Sequence, residues 1–393
     1  MTLKAFKYRI YPNGEQETLL NKTFGCVRVV WNHNVEIFNK YDSNLATQEQ
    51  PLTSTELRKK FDWMNEVSAA AVQQKEMDFK AFEKNYFSKN RKKKIGRPSF
   101  KNRDSHQSFR LPNQKFTLTS GSIRLEKIGK VNLVMDRDVP VGCKFISVTV
   151  SKNKCGQFFA SVLVETEVIK KPKTGKAIGL DIGIKTFLSG SNGTIVENPK
   201  FFRESQAELA KAQKNLSRKK KGSVRRKKAK LKVARIHNDI ANQRKDFIQK
   251  ETTKLINEFD FIGIEDLNVA GMVKNHCLAK SISDASFSEF YRVLSYKAAW
   301  HDKEVVKVGR FYPSSKTCSC CGWKDDNLTL ADRIFNCKAC GLEIDRDLNA
   351  SANILEEALR VNSAIRTQSE QKTLEVIPIK QSALKRLENH SFL

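Results

Sequence analysis

Apolar and polar residues alternate at the start of the chain, placing Phe6, Tyr8 and Ile10 on one face of a strand, and the period then lengthens. Asn13 and Gln16, three apart, form the signature of a capping box, and Leu19, Leu20, Phe24, Val27 and Trp31 follow at helical intervals. A second helix is predicted over roughly 66–88, where Val67, Ala71, Phe79, Phe82 and Phe87 read as core rather than as a base-stacking platform. The pattern breaks at KNRKKKIGRPSFK, whose charge, Gly96 and Pro98 mark an exposed loop. Strand signals fill 107–168: KFTLTSGSIRLE reads as a hairpin, and FISVTVSKNKCGQFFASVLVE alternates on both sides of a turn at Asn153 to Gly156. The first strand is therefore expected to complete a small β-barrel made of 1–13 and 105–175, with a helical insertion at 14–104. The stretch KKPKTGK at 170–176 reads as a linker.

The second half predicts a buried strand in AIGLDIGI, two strands around an Asn192-Gly193 turn, and a long helical region over about 204–258, broken near Gly222-Ser223. FDFIGIEDL is another apolar strand ending in acids, VVKV at 305–308 a further strand, and DRDLNASANILEEAL the start of a helix. This order is that of an RNase H-like mixed sheet. The fold class is α+β and multidomain, with the nuclease-type sheet over 176–316, its last helix over 342–370, and a mobile tail at 371–393, since periodicity fades beyond about 362.

Charge narrows the partners. Lysine and arginine number 71 against 43 acidic residues in 393, a net charge of +28. Cationic side chains gain affinity by displacing counterions from phosphates, so nucleic acid is the default partner, with an acidic membrane surface as the alternative. The run RKKKGSVRRKKAKLK has no acidic partners nearby, which favours a nucleic-acid groove over a solvated face. Its candidate contacts are Lys219, Lys220, Lys221, Arg225, Arg226, Lys227 and Lys228, together with Arg91, Lys92, Lys93 and Lys94 in the earlier loop. No run of about eighteen apolar residues occurs, and the N-terminus lacks the layout of a secretory signal. A soluble, cytoplasmic protein is expected.

Asp181 closes an apolar strand between Gly179 and Gly183, which read as thinning the surroundings for a phosphate to approach. Glu265 closes a second. In parallel neighbouring strands the two carboxylates would emerge at one sheet edge, with Asp347 folding back from the last helix. Three clustered carboxylates call for divalent cations, and oxygen ligands select magnesium or manganese, two of which could hydrolyse a phosphodiester. Asp345 rivals Asp347 as the third ligand, and Asp266 reads as a cap for the next turn. Nine cysteines include Cys318 and Cys321, then Cys337 and Cys340, two C-x₂-C pairs separated by fifteen residues. That spacing reads as a structural zinc ribbon over 317–341 rather than a redox dithiol pair, with Cys320 a bystander.

Several segments together resemble the TnpB (OrfB) family of transposon-encoded RNA-guided DNA endonucleases, relatives of the type V CRISPR effectors: YRIYPN, GLDIGIKTF, GIEDLNVAGM, SISDASFSEFYRVLSYKAAW, FYPSSKTCSCCG and CGLEIDRDLNASANI, in that order. The resemblance implies a RuvC nuclease domain whose acids are Asp181, Glu265 and Asp347, with the zinc ribbon inserted in it. It also implies an N-terminal wedge barrel with an inserted helical recognition domain, a guide RNA transcribed from the transposon end, and double-stranded target DNA cut beside a short adjacent motif. It further implies a bacterial or archaeal, nucleoid-associated setting. In such a family the second recognition helix faces the motif, making Gln73 and Gln74 candidate readers, since amides suit adenine edges. A strand-transferring transposase would order its acids Asp, Asp, Glu, whereas here the order is Asp, Glu, Asp. A nuclease-dead RNA-binding repressor would have lost at least one of the three.

Overall fold

The computed structural model describes residues 1–40, 49–89, 95–329 and 331–366. The predicted phosphate-contacting residues Arg91 to Lys94 and the predicted tail at 371–393 lie outside the described residues. The chain divides into two compact units, Met1–Glu167 and the remainder from Val168. Residues 168–175, expected with the barrel, thus belong to the second unit.

The first unit opens with β1 (Thr2–Tyr11), α1 (Gly14–Asn39), α2 (Ser54–Lys60) and α3 (Ala69–Phe87). Then follow β2 (Gln107–Pro112), β3 (Phe116–Thr119), β4 (Ser122–Leu125), β5 (Gly129–Val134), β6 (Lys144–Lys152) and β7 (Phe158–Thr166). The strands pair antiparallel in the order β2-β6-β7-β1-β5-β4-β3, with β1 inserted between β7 and β5. The outermost strands, β2 and β3, are joined through the single turn Asn113–Lys115, so the sheet curls into a nearly closed barrel. Phe6, Tyr8 and Ile10 line its core with Phe109, Val148 and Val150, and α1 covers it with Leu20 and Phe24.

Asn13 caps α1 as its sequence indicates: its side chain accepts from Gln16 N at 2.8 Å, and its own N–H donates to Gln16 Oε1 at 3.1 Å. The helix α2, absent from the sequence reading, is started by a capping box of Thr53 and Glu56. Phe79 and Phe82 pack against Trp31 and Phe38 between α1 and α3 as expected of core. Phe87, expected with them, stands 48% exposed at the helix end.

The second unit begins with β8 (Ala177–Asp181), β9 (Thr186–Gly190) and β10 (Ile195–Glu197), followed by α4 (Phe201–Ser217) and α5 (Val224–Glu258). It continues with β11 (Phe261–Glu265), α6 (Val269–Met272), α7 (Ala279–Ala285), α8 (Phe287–His301) and β12 (Glu304–Val308). A hairpin of β13 (Ile334–Asn336) and β14 (Glu343–Asp345) then leads into α9 (Arg346–Arg366), which runs past the point where the apolar period fades. The sheet order is β10-β9-β8-β11-β12, with β8, β11 and β12 parallel and β9 and β10 antiparallel.

Strand periodicity assigns the two faces. Ile178, Leu180, Ile262 and Ile264 face α5 and α8 through Ile248, Leu255, Phe290 and Leu294. Ala177 and Phe261 face α9 through Ile354, Leu355 and Ala358. Gly179 and Gly263 lie on this second side, where the helix approaches so closely that a Cβ at Gly179 would sit 2.1 Å from Ser351 O and one at Gly263 2.7 Å from Ala358 Cβ. The space at Gly179, read from the sequence as room for a phosphate, is filled by α9. Gly179→Ala should therefore force strand and helix apart, at a cost of about 1–3 kcal/mol or more, read as a lowered midpoint in thermal or denaturant unfolding. An unchanged midpoint would contradict this packing.

Candidate functional site

Parallel pairing aligns Ile178 with Ile262 and Leu180 with Ile264. The residues that follow, Asp181 and Glu265, accordingly leave the sheet at the same edge, at the carboxyl ends of adjacent strands. Asp347 arrives from the other direction, in the first turn of α9, which the two glycines let settle on those strands. The three carboxylates share one electrostatic field. Burial first, then the charges of Glu265 and Asp347, push Asp181 up to about 7, against the opposing Arg346 guanidinium and the Ile182 N–H. Each neighbour has its own anchor: Arg346 Nη2 donates to Asp347 Oδ1 at 3.1 Å, and Ser314 Oγ donates to Glu265 Oε1. Tyr291 contributes a buried hydroxyl with no hydrogen-bond partner among the described residues, its ionisation suppressed by burial and by the charges of Glu265 and Asp181.

The two rival acids are otherwise engaged. Asp345 Oδ1 accepts from the backbone N–H groups of Asp347 and Leu348 at 2.9 and 3.0 Å, which makes it the cap of α9. Asp266, expected to cap the next turn, instead pairs with Lys307 at 3.2 Å and Arg310 at 2.8 Å, cations that β12 and the loop after it bring alongside. Asn268 is the residue that caps α6, accepting from Gly271 N.

The four paired cysteines converge. Cys318, Cys321, Cys337 and Cys340 place their sulfurs within 4.8 Å of one another, among the described residues the group of metal-type ligand atoms that does so. The three carboxylates are spread more widely. Each C-x₂-C pair is a tight turn: Cys318 N–H donates to Trp323 O and Cys337 N–H to Leu342 O, and Gly322 and Gly341 take the left-handed conformation (φ +77° and +74°) that closes the turns. Burial pushes the Cys318 thiol up to about 12. At Cys337 burial is outweighed by the N–H groups of Cys340 and Ala339, which bring it down to about 7. Cys320 is exposed, and its backbone N–H donates to Cys318 Sγ at 3.4 Å. A set of four thiols without an open position suits a structural zinc ion.

The basic segment forms the turn between α4 and α5 and the first turns of α5. Lys220, Lys221, Arg225, Lys227 and Lys228 are exposed, while Lys219 and Arg226 are half-buried. Arg226 is spent locally, its Nη1 donating to Leu216 O and Lys219 O at 3.0 Å each, so it ties off the end of α4. On α3, Gln73 is exposed and Gln74 half-buried, its amide donating to Met77 Sδ at 3.4 Å. Four residues at the site escaped the sequence reading: Ser314, Arg346, Asn349 and Asn353. The available signal was the pair of asparagines one turn apart in the stretch LNASANIL of α9.

Family profiles match in three stretches: OrfB_IS605, described as "Probable transposase", over residues 161–276; "Cas12f1-like, TNB domain" over 287–354; and "Helix-turn-helix domain" over 1–41. A Streptomyces pristinaespiralis protein named "Putative RNA-guided DNA endonuclease" is 37% identical over 378 residues, covering 93% of this chain and 93% of the relative. The chain belongs to the TnpB/OrfB family. InsQ of Escherichia coli (strain K12), also named "Putative RNA-guided DNA endonuclease", is 31% identical over 382 residues, covering 90% of this chain and 92% of its own. A solved structure titled "Cryo-EM structure of the Cas12f1-sgRNA-target DNA complex" aligns with a TM-score of 0.46 and 15% identity, covering 90% of this chain and 98% of that one. The OrfB_IS605 stretch contains Asp181 and Glu265, and the TNB stretch contains the four cysteines and Asp347. Among the described residues of the third matched stretch, 1–40, the structure has strand β1 and the single helix α1 rather than the two helices of a helix-turn-helix.

Proposed function

We propose that this protein is a transposon-encoded, RNA-guided DNA endonuclease that cuts target DNA beside a short adjacent motif. The observation that carries the reading is the acid cluster: carboxylates ending two adjacent parallel strands, joined by a third from the final helix, in a chain of this family. The strand order and parallel pairing support reading this sheet as an RNase H-like domain of RuvC type.

The donor set fits divalent metal ions. Asp181 is raised to about 7 because burial and two neighbouring carboxylates oppose its ionisation, which a cation would reverse. Asp181, Glu265 and Asp347 would hold magnesium, with manganese as a substitute. When bound, two such ions supply an activated water and charge stabilisation for the leaving oxygen of a phosphodiester. The chain's own part is to fix the three carboxylates on rigid elements and to supply Arg346 as a balancing positive charge. The tetrathiolate site would hold one zinc ion and keep the hairpin before α9 folded.

Guide RNA and double-stranded target DNA are the partners this reading requires, and no described helix is long and apolar enough to cross a membrane. Base pairing would read sequence, while basic side chains such as Lys220, Lys221, Arg225, Lys227 and Lys228 hold phosphates. Gln73 and Gln74 remain the proposed readers of the adjacent motif. Replacing the five exposed cations by glutamine should weaken nucleic-acid binding for all sequences alike and flatten the slope of log affinity against log salt by about 0.7–0.9 per lost phosphate contact. A slope equal to wild type, measured by filter binding over a salt series, would mean the five side chains are only solvated.

The reading as a whole is tested by co-expressing the chain with its flanking transposon DNA and sequencing the RNA that purifies with it. One discrete RNA species carrying transposon-end sequence is expected; heterogeneous cellular RNA, or none, would count against guidance.

A further inference from the structure

Asn349 and Asn353 lie one turn apart on α9 with 0% and 2% of their surface exposed. Both amides are spent on a single loop. Asn353 Nδ2 donates to the backbone carbonyls of Ser314 at 2.7 Å and Thr317 at 2.6 Å. Asn349 Nδ2 donates to Thr317 O at 2.7 Å, and its Oδ1 accepts from Ser319 N at 2.9 Å. The same loop is closed internally, with the N–H groups of Lys316 and Thr317 donating to Pro313 O at 3.1 Å, and it runs directly into the first thiol turn at Cys318. Buried side-chain amides are costly unless fully paired, so this clamp holds the loop in one conformation. At the start of the loop Ser314, only 5% exposed, turns its hydroxyl onto Glu265 Oε1.

We infer that Ser314 is a positioning residue for Glu265, and that the asparagine clamp together with the thiol turn fixes it there, so that the ribbon orients a carboxylate of the acid cluster. The inference rests on the reading of Glu265 as a metal ligand. A glutamate at a strand end has three free torsions, and a hydrogen bond to one oxygen fixes the rotation of the carboxylate before any cation arrives. The ribbon thus has a role in cleavage besides its own folding. Glu265 is joined to the zinc module through Ser314, the backbone of 314–319 and the two asparagines.

Ser314→Ala removes this one bond, because Asn353 contacts the main-chain carbonyl of Ser314 and not its hydroxyl. In the purified protein–RNA complex, Ser314→Ala should raise the magnesium concentration for half-maximal cleavage by about tenfold or more, with zinc content and guide-dependent DNA binding unchanged. Ser314→Thr, which keeps a hydroxyl, should restore most of the difference. Asn353→Ala should shift the magnesium dependence in the same direction, and adding Ser314→Ala to it should bring little further shift. Wild-type magnesium dependence in Ser314→Ala, loss of zinc from it, or fully additive shifts in the double variant would each overturn the inference. Glu265→Ala in the same assay separates the two levels. If it is inactive while Ser314→Ala behaves as wild type, only the positioning role fails; if it still cuts, the metal-site reading fails.

Discussion

Asp181→Ala, Glu265→Ala and Asp347→Ala should each abolish magnesium-dependent DNA cleavage while leaving guide-dependent binding in place. On the proposed reading the carboxylates at the sheet edge and in the first turn of α9 hold the metal ions together, and removing any member takes away an oxygen ligand that no neighbouring acid among the described residues is placed to supply. The candidate substitutes are committed elsewhere: Asp345 caps α9, and Asp266 is held by Lys307 and Arg310. Asp345→Ala is therefore the control, expected to keep cleavage at the cost of a helix cap, about 1 kcal/mol.

The first of these acids also carries an expectation for stability. Asp181 has its folded-state pKa raised to about 7 from 3.8, so the protonated acid suits the folded chain and the ionised one does not. In metal-free protein the contribution is fully present below about pH 4 and is lost as pH rises through 7, on the order of a few kcal/mol. Wild-type stability in chelator should fall over that window, and Asp181→Asn should flatten the fall and be the more stable protein above pH 7. Denaturant midpoints at pH 4, 6 and 8 in the two proteins measure this, and parallel curves would mean that Asp181 is not crowded by its neighbours.

Cys337→Ser with Cys340→Ser should release zinc and, with it, cleavage. Structural zinc contributes on the order of 10 kcal/mol to the folding of its module, and the apolar cluster around the thiols is small, Phe335 and Ile344 with the partly buried Trp323, Leu328, Leu342 and Leu348. β14 passes without a break into α9, so loss of the hairpin frees the residues next to Asp347, and the loop 314–319 loses its anchor at Cys318. Metal analysis should find one zinc per chain in wild type and none in the double variant, with cleavage lost and the first unit still folded. Wild-type protein without zinc would remove the claim.

What the sequence disclosed was local or periodic. The capping box of Asn13 and Gln16, the β3–β4 hairpin, and the apolar strands ending at Asp181 and Glu265 depend on neighbours within a few residues, so their signals survive in the bare string. Thr53 and Glu56 carried the same kind of signal, a threonine three before a glutamate, and α2 was readable from it. The two cysteine pairs were legible because metal binding fixes spacing.

The misplaced roles all depend on tertiary partners. Asp266 looks like a cap in its own segment, and only β12 and the loop after it, some forty residues on, bring it Lys307 and Arg310. Gly179 looks like space for a ligand until α9 occupies it. Arg226 is one cation of a run until the end of α4 supplies carbonyls for it. Ser314 and Asn353 are ordinary polar letters whose use becomes visible only when loop, helix and strand end meet.

The central claim is tested most directly with the protein–RNA complex purified after co-expression, presented with a plasmid that carries both the sequence matching its RNA and a randomised flanking motif. In magnesium the wild-type complex should cut matched plasmid only, with one flanking motif recovered among the cut molecules, while the Asp181→Ala complex should retain matched plasmid uncut. Cleavage that ignores the match to the RNA, or full cutting by Asp181→Ala, would contradict the account.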